Sequence, residues 1–309
     1  MTKFWHRKCP LFVDKTPFRQ ARRESALSHA ARHPHILAGV ILLAVFSPMA
    51  VLNSPGNAAL HVALLQPSVI EKRLEEAPKP NAGRELALRA MFEAAGCRPP
   101  QLSEQTVRRN DPPNLVCEMP GKYPALIIVG GHLDHVRRGE GVVDDWSGAS
   151  MLPSLYESLH SIRRKHTFLF IGFTDEEKGL VGSHYYVRQL PPRKVNLIRA
   201  AVNLECLGMN SPEVWADHAN ARLLTDFALV SRSLGIPLQK VNVENIGRDD
   251  AESFRKYKVP TITIHSLTQD TLHVMHSPAD NFSAIHMPYY YESYRLVADY
   301  LAYLDADLR

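Results

Sequence analysis

The sequence predicts an α/β fold with a mixed, mostly parallel central sheet that carries helices on both faces. Two observations lead to this prediction. From residue 124 onward, short apolar runs alternate with helical patterns along the chain. Runs such as "ALIIVGG" and "FLFIGFT" are almost continuously apolar, as is typical of strands buried on both faces. The chain of 309 residues, 45% of them hydrophobic, is long enough to bury a substantial core.

Two helical patterns precede the first strand. The first, "QPSVIEKRLEEA", has a proline near its start, and the second, "NAGRELALRAMFEAAG", ends at a glycine, as helices commonly do. Strands are then predicted, in chain order, in "PALIIVGG", "HTFLFIGFT", "IRAAVNLECLG" and "VPTITIHS". Helices are predicted between and after them, in "SGASMLPSLYESLHSIRR", "GLVGSHYYVRQL", "ARLLTDFALVSRSLG" and "PYYYESYRLVADYLAYLDADL". Strands that alternate with helices indicate parallel neighbours in one sheet.

The N-terminal region differs in composition from the rest. The first 35 residues hold eight basic and two acidic side chains, so the net charge of +4 divides into +6 here and −2 beyond. A run of 17 uncharged residues follows at 36–52. We interpret 1–35 as a basic cytoplasmic leader, 36–52 as a signal-anchor or signal peptide, 53–65 as a linker and 66–309 as the main folded domain. This interpretation predicts export to the periplasm or the extracellular space, with membrane attachment through 36–52. Because the basic excess is confined to the leader, no nucleic-acid partner is expected.

The four cysteines bear on the compartment. Cys97 and Cys117 flank a loop-like segment and are candidates for a disulfide in an oxidising environment, but the sequence leaves their pairing open. Cys206 lies on an apolar strand and is expected to be a buried small hydrophobic residue.

Polar side chains follow three successive predicted strands. The residues concerned are His132 and Asp134 after the first strand, Asp175, Glu176 and Glu177 after the second, and Glu205 after the third. The carboxyl ends of such strands meet at one edge of the sheet, where ligands bind. Crowded carboxylates raise each other's pKa unless a cation lies among them, and no run of lysine or arginine accompanies these strand ends apart from the loop pair Arg137–Arg138. We therefore expect a metal ion. Mixed imidazole and carboxylate ligands suit Zn²⁺, with Mn²⁺ or Co²⁺ possible.

Five short motifs occur in a fixed order: "GGHLDH", "VVDDWSG", "TDEEKGLVGS", "NLECLG" and "HSPADN". They resemble the metal-site motifs of the co-catalytic dizinc exopeptidases, peptidase family M28, which include bacterial leucyl aminopeptidases and glutamate carboxypeptidases. The resemblance covers roughly residues 67–309. It implies the phosphorylase/hydrolase-like α/β fold of zinc-dependent exopeptidases for this region.

The resemblance also implies a role for each motif. Two zinc ions would be bound, with one carboxylate bridging them and one glutamate left as the general base. The implied ligands are His132 and Glu205 for one ion, Glu177 and His276 for the other, and Asp144 for both. Glu176 would be the base, and Asp134 would orient the His132 imidazole. The peptide bond between Asp144 and Asp145 is expected to be cis, as in relatives.

Some positions depart from the family pattern or remain open. Glu205 stands where many relatives have aspartate, and Trp146 stands where a small residue is usual. Trp146 is a candidate for contact with the substrate, with packing beneath the pocket as the alternative. Asp250, in "GRDDAESF", weakly resembles a substrate-side loop of relatives and is the second candidate. His276 is preferred to His273 as a ligand because "SPAD" follows it.

The resulting hypothesis is an exported zinc exopeptidase, an aminopeptidase that hydrolyses terminal peptide bonds of oligopeptides. Three alternatives remain at this point: a glutaminyl-peptide cyclotransferase with one zinc, a carboxypeptidase or dipeptidase of the same fold, and a catalytically inactive binding ectodomain. A monomer or a simple homodimer is expected.

Overall fold

A computed structural model describes residues 62–241 and 247–308, which belong to one compact unit. The predicted leader at 1–35, the apolar segment at 36–52 and the linker as far as residue 61 lie outside the described residues. Within the described ranges, no helix has the length and apolar character that crossing a membrane requires.

The described residues form helices and strands in the predicted alternation. The helices are α1 (Pro67–Glu75), α2 (Asn81–Ala94), α3 (Ser147–Leu159), α4 (Val181–Gln189), α5 (Pro192–Val195), α6 (Ala221–Leu234), α7 (Ala251–Arg255) and α8 (Met287–Asp307). The strands are β1 (Leu102–Gln105), β2 (Asn114–Met119), β3 (Leu126–His132), β4 (Thr167–Phe173), β5 (Ile198–Leu204), β6 (Glu213–Val214), β7 (Gln239–Lys240) and β8 (Thr261–His265).

The strands form one sheet in the order β1-β2-β4-β3-β5-β8-β6-β7. The four central strands, β4, β3, β5 and β8, are parallel to one another. On one side β2 joins β4 antiparallel and β1 joins β2 antiparallel, and on the other β6 joins β8 antiparallel. The predicted mixed and mostly parallel sheet is therefore confirmed, and the outer strands β1, β2, β6 and β7 are additions that the sequence did not predict.

Side chains alternate between the two faces of the sheet along β3. Ile127 and Val129 belong to the larger apolar cluster, which includes side chains of α3 and α8. Leu126 and Ile128 belong to a smaller cluster with side chains of α4 and α7. Both faces of β3 are thus covered by helices, which explains why the sequence of this strand is apolar throughout.

The cysteines and the start of the ordered chain are points that the sequence left open. Cys97 and Cys117 form a disulfide, which joins the end of α2 to β2. Cys206 is a free, buried cysteine, as expected. The last residue of the predicted linker, Leu65, is held by α8: its N–H donates to Tyr294 Oη at 2.8 Å, and its carbonyl accepts from Tyr291 Oη at 2.9 Å. The ordered fold therefore begins before residue 66.

Candidate metal centre and active site

The predicted site residues converge at the carboxyl ends of β3, β4 and β5. His132 is the last residue of β3, Glu176 and Glu177 follow β4, and Glu205 follows β5 directly. Two loops add the remaining ligands: Asp144 lies in the irregular turn Val142–Trp146 before α3, and His276 lies between β8 and α8.

Asp144 lies between two groups of ligands. Its Oδ1 is 3.1 Å from His132 Nε2, and that nitrogen is 3.3 Å from Glu205 Oε1. Its Oδ2 is 3.2 Å from His276 Nε2, which is 3.0 Å from Glu177 Oε2. The structure therefore brings together all five residues implied as ligands, with the two oxygens of one carboxylate facing different groups. His273, the alternative to His276, is exposed and its Nδ1 lies 2.7 Å from the Asp270 carbonyl.

The electrostatics of these groups favour a bound cation. Burial raises the pKa of Glu176 to about 10 and that of Glu177 to about 7. A hydrogen bond to Asp144 raises the pKa of His276 to about 9, and Glu205 and Asp144 raise the pKa of His132 despite its burial. The buried Oε1 of Glu177 has no hydrogen-bond partner among the described residues. Imidazole and carboxylate donors at these distances fit divalent zinc.

The carboxylate of Asp134 organises the loop after β4. The N–H of Glu176 donates to its Oδ1 at 2.9 Å, and the N–H of Glu177 donates to its Oδ2 at 3.2 Å. The carboxylate itself does not hydrogen-bond to His132, because Asp134 Oδ1 is 3.8 Å from His132 Nδ1. Instead, Nδ1 lies 2.9 Å from the Asp134 carbonyl oxygen. Donation to that carbonyl leaves Nε2 as the nitrogen with a free lone pair, facing Asp144.

Asp145 is a functional position that the sequence analysis missed. Its buried carboxylate accepts hydrogen bonds from the N–H groups of His132 at 3.1 Å, Gly148 at 3.0 Å and Cys206 at 3.1 Å. It thereby ties the end of β3 to the start of α3 and to the residue after Glu205. The Asp144–Asp145 peptide bond is cis, as the family resemblance implies. The sequence signal for Asp145 was the pair of adjacent acids before "WSG". Asp144 faces the ligands, and Asp145 holds the backbone.

The hypothesis that Trp146 contacts substrate is wrong. Its side chain is completely buried, its Nε1–H donates to the Arg73 carbonyl at 3.2 Å, and the Arg84 guanidinium lies 5.5 Å from its ring. Trp146 packs against α1 and α2 beneath the site. The residues that press on it lie more than sixty positions earlier in the chain, so the local sequence gave no sign of this packing.

The prediction that Asp250 contacts the substrate does not fit the structure either. Asp250 is 1% exposed, which leaves almost no surface for contact with a substrate. Burial raises its pKa to about 7, and its charge contributes to the raised pKa of Glu176. Asp250 therefore acts on the site through electrostatics from beneath the surface.

An apolar side pocket of about 40 Å³ opens beside the ligands. Its apolar walls are Trp215, Leu267 and Met275. Glu205 and Met275 line both this pocket and the cleft that contains Asp144 and Glu176, so the two spaces adjoin. The sequence analysis did not identify these pocket residues, because they come from three separate segments whose proximity depends on the fold.

His265, at the end of β8, forms part of the pocket lining and stays uncharged. Its Nδ1 accepts the Leu267 N–H at 3.0 Å, and burial lowers its pKa to about 4. The imidazole itself therefore adds no charge to the pocket, whose lining also includes Glu205, Arg248 and Asp249.

The chain is similar to known proteins in sequence and in fold. A family model for peptidase family M28 matches residues 114–301. Leupeptin-inactivating enzyme 1 from Streptomyces exfoliatus is 29% identical over 150 residues, which is 48% of this chain and 34% of that protein. The chain spans about a third or less of the length of the first curated relatives that it matches.

Two solved structures share the fold. The zinc aminopeptidase from Bacillus subtilis has a TM-score of 0.58 at 21% identity, covering 64% of this chain and 50% of that one. A glutaminyl cyclase from an Acidobacteriales bacterium has a TM-score of 0.66 at 14% identity, covering 81% of this chain and 98% of that one. Because the family model matches more than half of the sequence, the chain belongs to peptidase family M28.

Proposed function

We propose that the chain is a zinc-dependent aminopeptidase that removes the N-terminal residue of oligopeptides. The observation that carries this proposal is the placement of Asp144 between two ligand groups, with Glu176 beside them and outside both. One solved structure with a similar fold is a zinc aminopeptidase, and the curated relatives include probable leucine aminopeptidases. These names support the assignment for the part of the chain that they match.

The ligand groups have the composition for two zinc ions. His132 and Glu205 would hold one ion, Glu177 and His276 would hold the other, and Asp144 would contribute one oxygen to each. Mn²⁺ or Co²⁺ would be accepted by the same donors. Bound at such a pair, zinc polarises the scissile carbonyl and lowers the pKa of water.

Glu176 has the position and environment of a general base. Its N–H is fixed by Asp134, and its Oε2 is 4.0 Å from His132 Nε2, which is beyond the shorter contacts among the five ligands. Burial raises the pKa of this carboxylate, and divalent cations at the ligand groups would lower it again, which would leave the ionised form available to accept a proton. Glu176 accepts the proton of the attacking water and returns it to the leaving amine.

The side pocket indicates which residue of the substrate is selected. It adjoins the ligands, and Trp215, Leu267 and Met275 form its apolar walls. An apolar side chain next to the scissile bond would be buried in this pocket, and its burial would favour binding by about 25 cal/mol per Å² of apolar surface. We therefore assign to it the side chain of the N-terminal residue, with a preference for apolar residues of leucine size.

Narrowing this pocket changes the preference between large and small residues. Leu267 is buried against the pocket, and Leu267→Phe is expected to lower kcat/KM for leucyl peptides about tenfold while alanyl peptides change little. The control is Leu229→Phe, which makes the same exchange at an exposed position of α6. Steady-state kinetics with paired Leu and Ala peptides measures the ratio. Equal losses for both substrates would remove the pocket from side-chain recognition.

The glutaminyl cyclase likeness defines the main competing function. That solved structure is covered almost completely by this chain, whereas the five-ligand arrangement around Asp144 favours a pair of metal ions. A carboxypeptidase would recognise the opposite end of the peptide. These functions differ in the peptide terminus that they need and in the product that they release.

One experiment separates them. The metal-free protein is reloaded with zinc and incubated with leucyl peptides, N-acetylated leucyl peptides and peptides that begin with glutamine. Mass spectrometry of the products should show loss of the first residue from peptides with a free amino terminus and no reaction of the acetylated ones. Cleavage of acetylated peptides alone would point to a carboxypeptidase. Loss of ammonia from glutaminyl peptides without hydrolysis would point to a cyclase.

A further inference from the structure

Arg84 is a buried arginine whose surroundings are not explained by packing alone. It lies in the first turn of α2 and has no exposed surface. Its Nε donates to the Pro78 carbonyl at 3.0 Å, which fixes the guanidinium against the start of its own helix. The other donors point away from α2, toward the loop that follows β3. An arginine buried with main-chain partners is an unusual use of a charged side chain.

The loop in question runs from the first metal ligand to the shared one. Arg84 donates to the carbonyl of Leu133 at 3.3 Å, directly after His132. It also donates to the carbonyls of Glu140 at 2.5 Å and Gly141 at 2.9 Å, shortly before Asp144. A single side chain therefore bonds to both ends of the loop.

Asn81, one helical turn earlier, holds the middle of the same loop. Its Oδ1 accepts the N–H of His135 at 3.2 Å, and its Nδ2 donates to the His135 carbonyl at 3.4 Å. Gly141 packs tightly against these residues, since an added Cβ would lie 2.3 Å from His135 Cβ and 3.0 Å from the Arg84 guanidinium. The loop is thus fitted to the first turn of α2.

We propose that the first turn of α2, through Arg84 and Asn81, is a positioning element that sets the spacing between His132 and Asp144 and so tunes metal affinity. Both residues lie before the segment 114–301 that the family model matches. The effect on metal affinity rests on the proposed function. The contacts of Arg84 and Asn81 with the loop do not, because they are present in the metal-free chain.

The forked shape of Arg84, and not only its charge, carries this role. A positive charge close to the site would oppose the binding of a divalent cation, so charge alone would weaken metal affinity. A guanidinium offers five N–H donors in a fixed plane, whereas a lysine ammonium is a compact point charge with three donors. Arg84 donates to four separate carbonyls, which a lysine cannot reach together.

The test is Arg84→Lys, which keeps the charge and removes the fork. Arg164→Lys is the matched control, because Arg164 also donates to three main-chain carbonyls but lies between α3 and β4, away from the ligand loop. The loop contains exposed Arg137 and Arg138, so trypsin reports its opening. Cleavage there, followed by mass spectrometry in the metal-free full chain, should accelerate at least about tenfold in Arg84→Lys and stay unchanged in the control.

Zinc affinity supplies the second readout. Competition with a chromophoric chelator should show a dissociation constant about tenfold weaker for Arg84→Lys, within the range for residues that orient metal ligands, and an unchanged value for the control. If wild-type protein binds no zinc, the proposed function fails while the cleavage comparison still decides the role of Arg84. Wild-type cleavage and affinity in Arg84→Lys would overturn the proposal.

Asn81→Ala keeps the proposal testable if Arg84→Lys does not fold. Asn81 lies at the start of α2, where its loss removes two hydrogen bonds to His135 and leaves Arg84 in place. Faster cleavage after Arg137 and Arg138, by a few-fold, is the expected result. A loop that trypsin cleaves at the wild-type rate in this variant would contradict a positioning role for the turn.

Discussion

Replacing Glu176 with glutamine is expected to lower kcat about 10²- to 10⁴-fold while zinc content and KM stay close to wild type. The amide keeps the size of the side chain and cannot accept the proton of the attacking water. The Glu176 N–H would still donate to Asp134, because that bond involves the main chain. Steady-state kinetics on a leucyl peptide and metal analysis of the dialysed protein measure the two quantities.

The control for removal of one carboxylate is Glu157→Gln. Glu157 lies near the end of α3 and pairs with Arg73 at 2.7 Å, outside the cleft. The activity of Glu157→Gln should match that of the wild-type protein. Two results would contradict the assignment of Glu176: full turnover in Glu176→Gln, or a loss of zinc, which would make Glu176 a ligand.

The parallel part of the fold was predictable because its signal is local. Strands β3 and β4 are buried on both faces, so their sequences are apolar throughout and stand out from the helices between them. Strand β1, "LSEQ", gives no such signal, since only its first residue is buried. It is a strand because Leu102 to Gln105 pair with β2, and the disulfide at Cys117 ties β2 to the end of α2. Pairing of this kind depends on contacts between segments and not on local composition.

The candidate site was predictable to the same extent. Each ligand lies within a short motif at a strand end or loop, and the chain order of those motifs carried the information. Trp146 and Asp250 were assigned to the substrate because their motifs are adjacent to ligands, yet the exposure of a side chain is decided by what packs on it. For Trp146 that is α1 and α2, which precede it by more than fifty residues.

Arg84 shows a second limit of sequence reasoning. The sequence analysis noted Arg137 and Arg138 as the basic pair beside the strand ends, and the structure places a buried arginine from α2 against the same loop. Its partners are main-chain carbonyls, which have no residue identity and leave no pattern in the sequence. Side pockets such as that formed by Trp215, Leu267 and Met275 are hidden for the same reason, since their walls come from separate segments.

Asp144→Asn is expected to remove both zinc ions and to abolish hydrolysis, because Asp144 is the residue that both ligand groups share. Asparagine keeps the shape of the side chain but offers one neutral oxygen, and its NH₂ group cannot coordinate a cation. Each group would retain one histidine and one glutamate, which is fewer than the three protein ligands usual at catalytic zinc. Metal analysis after dialysis should therefore find well under one zinc per chain.

Glu177→Gln is the comparison that gives this result its meaning. Glu177 contacts His276 at 3.0 Å and belongs to one group, so its replacement should release one zinc and leave the ion between His132, Glu205 and Asp144. Circular dichroism and thermal melting of the metal-free proteins check that both variants fold. If Asp144→Asn retained two tightly bound zinc ions, or lost no more than Glu177→Gln, Asp144 would belong to one group only. The site would then hold two independent ions or a single one, and the shared Asp144 carboxylate on which the proposed metal pair depends would be excluded.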